Sequence, residues 1–532
     1  MKNQESAMPS CIHQPLNLYE LNTRLWLREL GVDRLRAVPD AVLDELAGLG
    51  FDALWLMGVW TPSAASARLA ARPELLAGYR IDLPDCEPED IEASPYAIAG
   101  YRLSPQLGSP EDLLHLRGRL HLRGMRLILD FVPNHTAVDH PFTVHQPQIY
   151  AAPAPKAAPH PDDIFVTEGG VTLYHGRDPN FPSWIDTAQV DYRRRDTWDA
   201  MIRELRAVAA CCDGVRCDMA MLLLRDVFAG TWTHSGRSPA PPPSDAASGE
   251  FWAEAIDAVR ARHPGFLFIA ESYWGLERRL QHLGFDFTYD KALYDHLLHG
   301  EAWAINSHLG VGRGRQRRSV RFIENHDEPR AAALAEDHHQ MAALLALTLP
   351  GMRLLHQGQL EGARRRVPVQ LRRRAAAPID PPQPRLRAFY QRLLALLADP
   401  VLRNGDWRLL PALPTWEGNP THQSFVLYGW DGSHVRQPAP VGGAPGHRLL
   451  AANLAQHPAQ CHVRLALPGL AGREVIIEEM LGTGQTPVGD ARSAQGLPSY
   501  RRHGDTLAER GLFLDLPARS AQLLAVHPAP RL

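Results

Sequence analysis

Apolar residues along the chain fall into short runs, and many of these runs end in polar positions that a core strand would not need. Asn17–Thr23 (NLYELNT) alternates and then reaches Asn22, and Phe51–Trp60 (FDALWLMGVW) is mostly apolar and follows a helical stretch near Val38–Leu49. Arg126–His135 (RLILDFVPNH) passes from apolar residues into Asp130, Asn134 and His135. Gly214–Asp218 (GVRCD), Phe266–Glu271 (FLFIAE), Ser319–Asp327 (SVRFIENHD) and Met352–Gln357 (MRLLHQ) behave alike, with Phe285–Thr288 a weaker sixth run. Helical periodicity lies between them, as in Ser109–His121, Arg194–Cys211, Phe251–His263 and Arg387–Leu397. Strands alternating with helices predict a parallel sheet covered by helices. Polar residues at strand C-termini are what the mouth of a (β/α)₈ barrel requires. An open doubly wound sheet would carry a Gly-rich phosphate turn after an early strand, and none is present.

Interruptions divide the chain further. Residues 137–195 lack sustained periodicity and fall after the third strand, as an inserted subdomain would. Residues 233–250 (THSGRSPAPPPSDAASGE) are poor in large apolar side chains, which predicts a mobile loop after the fourth strand. From residue 401 the pattern becomes short alternating runs separated by Gly and Pro turns: Phe425–Trp430, Arg448–Leu454, Cys461–Leu467 and Ala521–Val526. That pattern reads as an antiparallel β-sandwich. The expected domains are therefore 1–136 and 196–400 for the barrel, 137–195 for the insertion and 401–532 for the β-sandwich.

Composition narrows the function classes. The 532 residues suffice for more than one domain, and a formal net charge of −3 gives no pull toward nucleic acid or an anionic membrane. Only Lys2, Lys156 and Lys291 are lysines, a skew toward arginine that reads as genome base composition. Residues Met1 to Pro15 lack the pattern of a secretory signal, and no apolar run reaches the ~18 residues of a membrane span. The six cysteines (Cys11, Cys86, Cys211, Cys212, Cys217 and Cys461) show neither zinc spacing nor a disulfide framework. A cytoplasmic location follows as the expectation.

The strand ends carry the chemistry. Retaining cleavage of a glycosidic bond needs two carboxyl groups about 5–5.5 Å apart, one attacking and one donating a proton. Asp218 and Glu271 end successive strands, four and five, and neighbouring strands lie about 4.8 Å apart. Asp327 adds a third carboxyl after strand seven. Arg216 lies two residues before Asp218, on the same strand face, where a guanidinium would orient Asp218 and hold it ionised. His135 and His326 could donate hydrogen bonds to sugar hydroxyls. Trp274, three residues after Glu271, suits either a sugar platform or core packing. Cys217, between Arg216 and Asp218, should point away into packing. The arginine clusters 313–318 and 364–374 read as salt-bridged faces, the second alternatively as an anion site near the mouth.

The stretches DFVPNH (Asp130–His135), GVRCD (Gly214–Asp218), IAESYW around Glu271 and NHD (Asn325–Asp327) resemble, in order, the four signature regions of the α-amylase superfamily, glycoside hydrolase family 13. The resemblance spans essentially the whole chain. It implies Asp218 as nucleophile, Glu271 as acid/base and Asp327 as transition-state stabiliser. It also implies that Arg216, His135 and His326 line the subsite of the cleaved sugar, with Tyr96 in SPYAIAGY stacking on that sugar and Asp130 supporting the site. Asn134 matches a position that often binds calcium in the family. Met219–Leu222 stand where many α-amylases carry a Lys-His pair, so no required metal or other cofactor is expected.

The expected activity is hydrolysis of α-glucosides or maltooligosaccharides through a glycosyl-enzyme intermediate. A transglycosidase using the same three carboxyls is the alternative, and Arg330 in NHDEPR leaves it open. A non-catalytic sugar- or partner-binding relative would be expected to have lost one of the three carboxyls, and all are present. Sequence alone leaves the oligomeric state open.

Overall fold

The computed structural model describes residues 15–154, 158–233, 249–375, 383–435, 446–483, 491–492 and 498–529. The Pro- and Ser-rich loop expected at 233–250 lies almost wholly outside them, as do Lys2, Lys156 and Cys11. Eight strands form a closed barrel: β1 (Asn17–Asn22), β2 (Ala53–Met57), β3 (Arg126–Phe131), β4 (Gly214–Cys217), β5 (Leu267–Ala270), β6 (Phe287–Tyr289), β7 (Ser319–Arg321) and β8 (Met352–His356). Each neighbours its successor in sequence and β8 returns to β1, the order of a (β/α)₈ barrel.

By compactness the chain groups into two units. One holds Leu18–Tyr289 and Arg365–Ile379; the other holds His13–Asn17, Asp290–Arg364 and Asp380–Leu532.

In the first unit β2 through β5 are buried on both faces apart from Arg126 at the start of β3, which explains their continuous apolar runs. Registers such as Gly214↔Leu267 and Cys217↔Ala270 bring the ends of β4 and β5 level. Gly214 is required there, because a Cβ would stand 2.6 Å from that of Leu267. The helix Arg195–Ala209 buries Trp198, Met201, Ile202, Leu205 and Val208, the i, i+3, i+4 stripe read from sequence. Helix Pro110–His121 starts with proline at its first turn, and Asp112 accepts the Ser109 N–H at 3.0 Å. The inserted residues build two small antiparallel ribbons, His135–Ala137 with Thr187–Gln189 and Ile164–Val166 with Thr172–Tyr174. A second excursion went unread in the sequence: residues 60–105 after β2 carry the helices Ala64–Ala70 and Pro73–Asp82.

In the second unit a seven-stranded antiparallel sheet runs Asp406–Leu410, Phe425–Asp431, His447–Asn453, Ser520–Pro528, Glu474–Gly482, Pro498–His503 and Ala491–Arg492. Alternate residues point to one face, including Phe425, Leu427, Leu449, Val475, Ile477, Leu524 and Val526. They pack against Cys461, Val463, Leu512 and Leu514 of the ribbon Ala459–Val463 with Leu512–Leu516, so the C-terminal part is a β-sandwich. β7 ends at Arg321, earlier than the run to Asp327 suggested. Farther on, Asn325 Oδ1 accepts the N–H groups of Asp327 and Glu328, both at 2.9 Å, and forms a turn there.

Among the described residues no helix is long and apolar enough to cross a membrane.

Fully buried Arg321 pairs with Asp290, which also lies 2.8 Å from His308 Nε2. Removing one partner of such a pair leaves an uncompensated charge in a dry interior. Asp290→Ala should therefore destabilise the protein by about 3 kcal/mol, read as a lower denaturant midpoint. An unchanged midpoint would show the pair to be dispensable.

Candidate active site

Everything at the C-terminal ends of β3, β4 and β5 converges on one buried guanidinium. Arg216 Nη1 lies 2.7 Å from Asp218 Oδ1 and 3.7 Å from Asp130 Oδ1, and Nη2 lies 3.0 Å from Glu271 Oε2. The rings of Tyr96, Trp55 and Tyr289 surround the cation at 5.2, 5.3 and 5.7 Å. Trp55 Nε1 also donates to Asp130 Oδ2 at 3.1 Å, and Trp60 Nε1 to the Asp130 carbonyl at 2.7 Å. Burial alone would lower the Arg216 pKa, but Glu271, Tyr96, Tyr289 and Asp218 raise it well above the ordinary value, so the charge is fixed.

Glu271 is a richly served acceptor. Its Oε2 takes the Met219 N–H at 2.6 Å, and its Oε1 takes the Tyr273 hydroxyl at 2.7 Å. Met219 reaches it by adopting a left-handed backbone, φ 43°, directly after Asp218. Burial, then the Glu271 charge, push the Asp218 carboxyl up to about 7, against the pull of Arg216. The sequence expectation that Arg216 would hold Asp218 ionised therefore needs correcting. The cation is shared among three carboxyls, and burial plus Glu271 outweigh Asp218's share of it.

His135 also behaves differently from the sequence expectation. Its Nε2 lies 3.1 Å from the Tyr96 carbonyl, and its Nδ1 faces Asn134 Nδ2 at 3.3 Å. Burial drops its pKa to about 4, so it is neutral, and in this geometry Nε2 holds the Tyr96 carbonyl while Nδ1 faces the amide of its chain neighbour Asn134. Trp184, from the inserted residues, packs on the His135 ring at 5.0 Å. Trp274 is 46 % exposed, which excludes core packing, and it takes φ 62°, a conformation that a bulky side chain rarely adopts. Cys217 is buried in packing, as its strand position implied.

The Asn134 side chain is engaged by its neighbours. Gln189 Nε2 donates to its Oδ1 at 3.1 Å, and the nearby Asp191 carboxylate is clamped by Arg193 at 2.6 Å. Among the described residues no group of three or more His, Cys, Asp or Glu side chains is arranged to hold a metal.

In the second unit the NHD turn is held by its own neighbours. His326 is buried with Nε2 3.0 Å from Asp327 Oδ2, while the Asp327 side chain is 43 % exposed. Beneath the turn, Glu324 accepts Arg330 Nη1 at 2.7 Å and the Ala331 N–H at 2.8 Å. Arg330 also donates to the Gln357 carbonyl at the end of β8, at 2.8 Å.

Trp55, Tyr273, Tyr289 and Trp184 were not singled out from sequence. For Trp55 and Tyr289 a signal existed: both sit on barrel strands where a polar-tipped aromatic needs a partner.

Known proteins resemble the chain in sequence and fold. Residues 40–201 match the family model for the α-amylase catalytic domain. The chain is 25% identical over 362 residues to the α-amylase MalA of Haloarcula japonica, which covers 66% of this chain but only 44% of that protein. Among solved structures, an α-amylase from Lactobacillus plantarum superposes with TM-score 0.61 at 21% identity, over 96% of this chain and 98% of the other. A cyclic α-maltosyl-(1→6)-maltose hydrolase from Arthrobacter globiformis gives TM-score 0.59 at 14% identity, over 97% and 98%. These structural likenesses concern the fold.

Asp218 binds its proton more tightly folded, at about 7, than at its ordinary 3.8. Its contribution to stability is therefore present at acid pH and is lost as pH rises from about 4 to about 7. Asp218→Asn should raise the melting temperature at pH 8 and change it little at pH 4; a pH-independent difference would refute the assignment.

Proposed function

We propose that the chain, residues 40–201 of which match the α-amylase catalytic-domain model, is a retaining α-glycosidase of that superfamily acting on α-glucosides or maltooligosaccharides. The observation that carries this reading is the pair Asp218 and Glu271, at the ends of adjacent parallel strands and bridged by one guanidinium. Two carboxyls touching the same cation suit the short separation of a double displacement better than the wider gap that an inverting water needs.

In this reading Asp218 attacks the anomeric carbon while Glu271 protonates the leaving oxygen, then deprotonates the incoming water or sugar. Asp327, after β7, is the proposed stabiliser of the oxocarbenium-like transition state, and His326 orients it. Tyr96 would stack on the cleaved sugar, and exposed Trp274 would offer a face to the next one. No metal is required in this scheme. The proposed partners are α-glucan substrates, with no role for nucleic acid or membrane. Five free cysteines among the described residues, four of them buried, suit a reducing compartment such as the cytoplasm.

The same intermediate can pass to a sugar acceptor, and Trp274 would bind an acceptor as readily as a leaving group. Product analysis with and without EDTA on maltooligosaccharides, trehalose, sucrose and isomaltose separates the cases. Shorter α-anomeric products insensitive to EDTA are expected; longer or rearranged products would make the enzyme a transglycosidase.

Asp218→Asn should lower kcat on the best substrate by several orders of magnitude. Glu271→Gln should impair substrates with poor leaving groups by ~10²-fold or more while sparing activated aryl glycosides. Equal losses on both substrate types would remove Glu271 from the acid role.

A further inference from the structure

Arg372 and Arg373, within the arginine cluster, meet a run of acids. Residues 82–92 contain Asp82, Asp85, Glu87, Glu89, Asp90 and Glu92. Arg373 grips Asp90 with two nitrogens at 2.6 and 2.7 Å, and reaches Asp85 Oδ2 at 3.1 Å. The Arg372 N–H donates to the Asp90 carbonyl at 3.0 Å, and the Glu92 N–H to the Gln370 carbonyl at 2.8 Å. Ile91 and Leu371 form an antiparallel bridge between these bonds. Leu371 then packs with Ala70, Leu83, Cys86 and Ile91 in a small core of its own.

Behind this seam lies Arg24, whose Nη1 meets Glu92 at 2.8 Å. Its Nη2 donates to the carbonyls of Ala93 and Val369, both at 3.1 Å, so one guanidinium holds both segments. From Ala93 the chain runs directly into Ser94, Pro95 and Tyr96. The Ser94 N–H donates to Ser66 Oγ at 3.1 Å, and the Tyr96 N–H to Ser94 Oγ at 3.2 Å. Pro95 packs so closely on Gly58 that a Cβ there would stand 3.2 Å from it. Tyr96 ends this chain of contacts with its carbonyl on His135 and its ring on Arg216.

We propose that residues 365–374 are a strap that positions Tyr96, with Arg373 and Arg24 as its two fastenings. Neither arginine touches the reacting atoms; both act as positioning residues through the 91–96 segment. The arginine cluster is therefore a structural seam of the substrate site and not an anion pocket. An isolated surface ion pair would contribute at most about 1 kcal/mol. Here the pairs close an antiparallel bridge over a partly buried cation, so their loss is felt along the backbone. The role of Tyr96 rests on the proposed glycosidase reading, whereas the strap itself does not.

Hydrogen–deuterium exchange on the full chain, comparing wild type with Arg372→Gln/Arg373→Gln, tests both parts. Exchange of the peptide covering 91–97 should quicken about tenfold, as expected for losing charged hydrogen bonds, while the strand 214–217 is unchanged. Raising NaCl should quicken the same peptide in wild type more than in the variant. Arg123→Gln, which breaks surface pairs to Asp40 and Asp44, should leave it unmoved. On maltooligosaccharides the double variant should show KM raised several-fold, with a smaller change on an aryl monoglucoside. Unchanged exchange at 91–97, or a rise spread over every peptide, would overturn the strap. Local loosening with KM unaltered would overturn its action through Tyr96. Local loosening in a protein that turns over no α-glucoside would uphold the strap and sink the glycosidase reading instead.

Discussion

One cation in a dry place organises the first unit. Arg216 is almost wholly shielded from water, and a buried guanidinium without partners would be strongly unfavourable. Its surroundings answer that need with three carboxyls and three aromatic faces. Two of these carboxyls, Asp218 and Glu271, are the pair that the proposed glycosidase reading sets beside one anomeric carbon. Stability and reactivity therefore pull on the same atoms. A lysine could not substitute, because its single ammonium lacks the planar fork that reaches Asp218 and Glu271 from separate nitrogens.

The second unit shows the same economy with different parts. Arg321 on β7 pairs with Asp290, and Arg330 ties Glu324 below the NHD turn to the end of β8. Asp327 can stay comparatively exposed because the residues on either side of it are pinned.

The barrel was legible because strands buried on both faces leave continuous apolar runs, and because polar residues at their ends have no packing reason to be there. The helical stripe at Trp198–Val208 was legible for the same periodic reason. Asp218, Glu271 and Arg216 could be found by position: the strand period places 216 and 218 on one face, and the parallel order puts 218 beside 271. What escaped were effects with no period. The seam between 82–92 and 365–374 joins two loops, and loops advertise pairing only through charge; read separately, each was merely a charged run. The Met219 contact with Glu271 and the His135 contact with the Tyr96 carbonyl depend on neighbours far away in sequence. The direction of the Asp218 shift depends on burial, which the motif GVRCD does not encode.

The strap also sets a clock. Asp90 and Arg373 are 283 residues apart, so at roughly 5–20 residues per second a ribosome needs on the order of 15–60 s to deliver the second after the first. Through that interval the acidic segment and the tyrosine beyond it are already made but lack their fastening. A nascent chain released early, or a fragment cut before residue 365, would carry Asp218 and Glu271 on their strands and still lack the seam that holds Tyr96 over them. Assembly of the sugar-facing surface is therefore a late event in the life of the chain, later than synthesis of either of these two carboxyls.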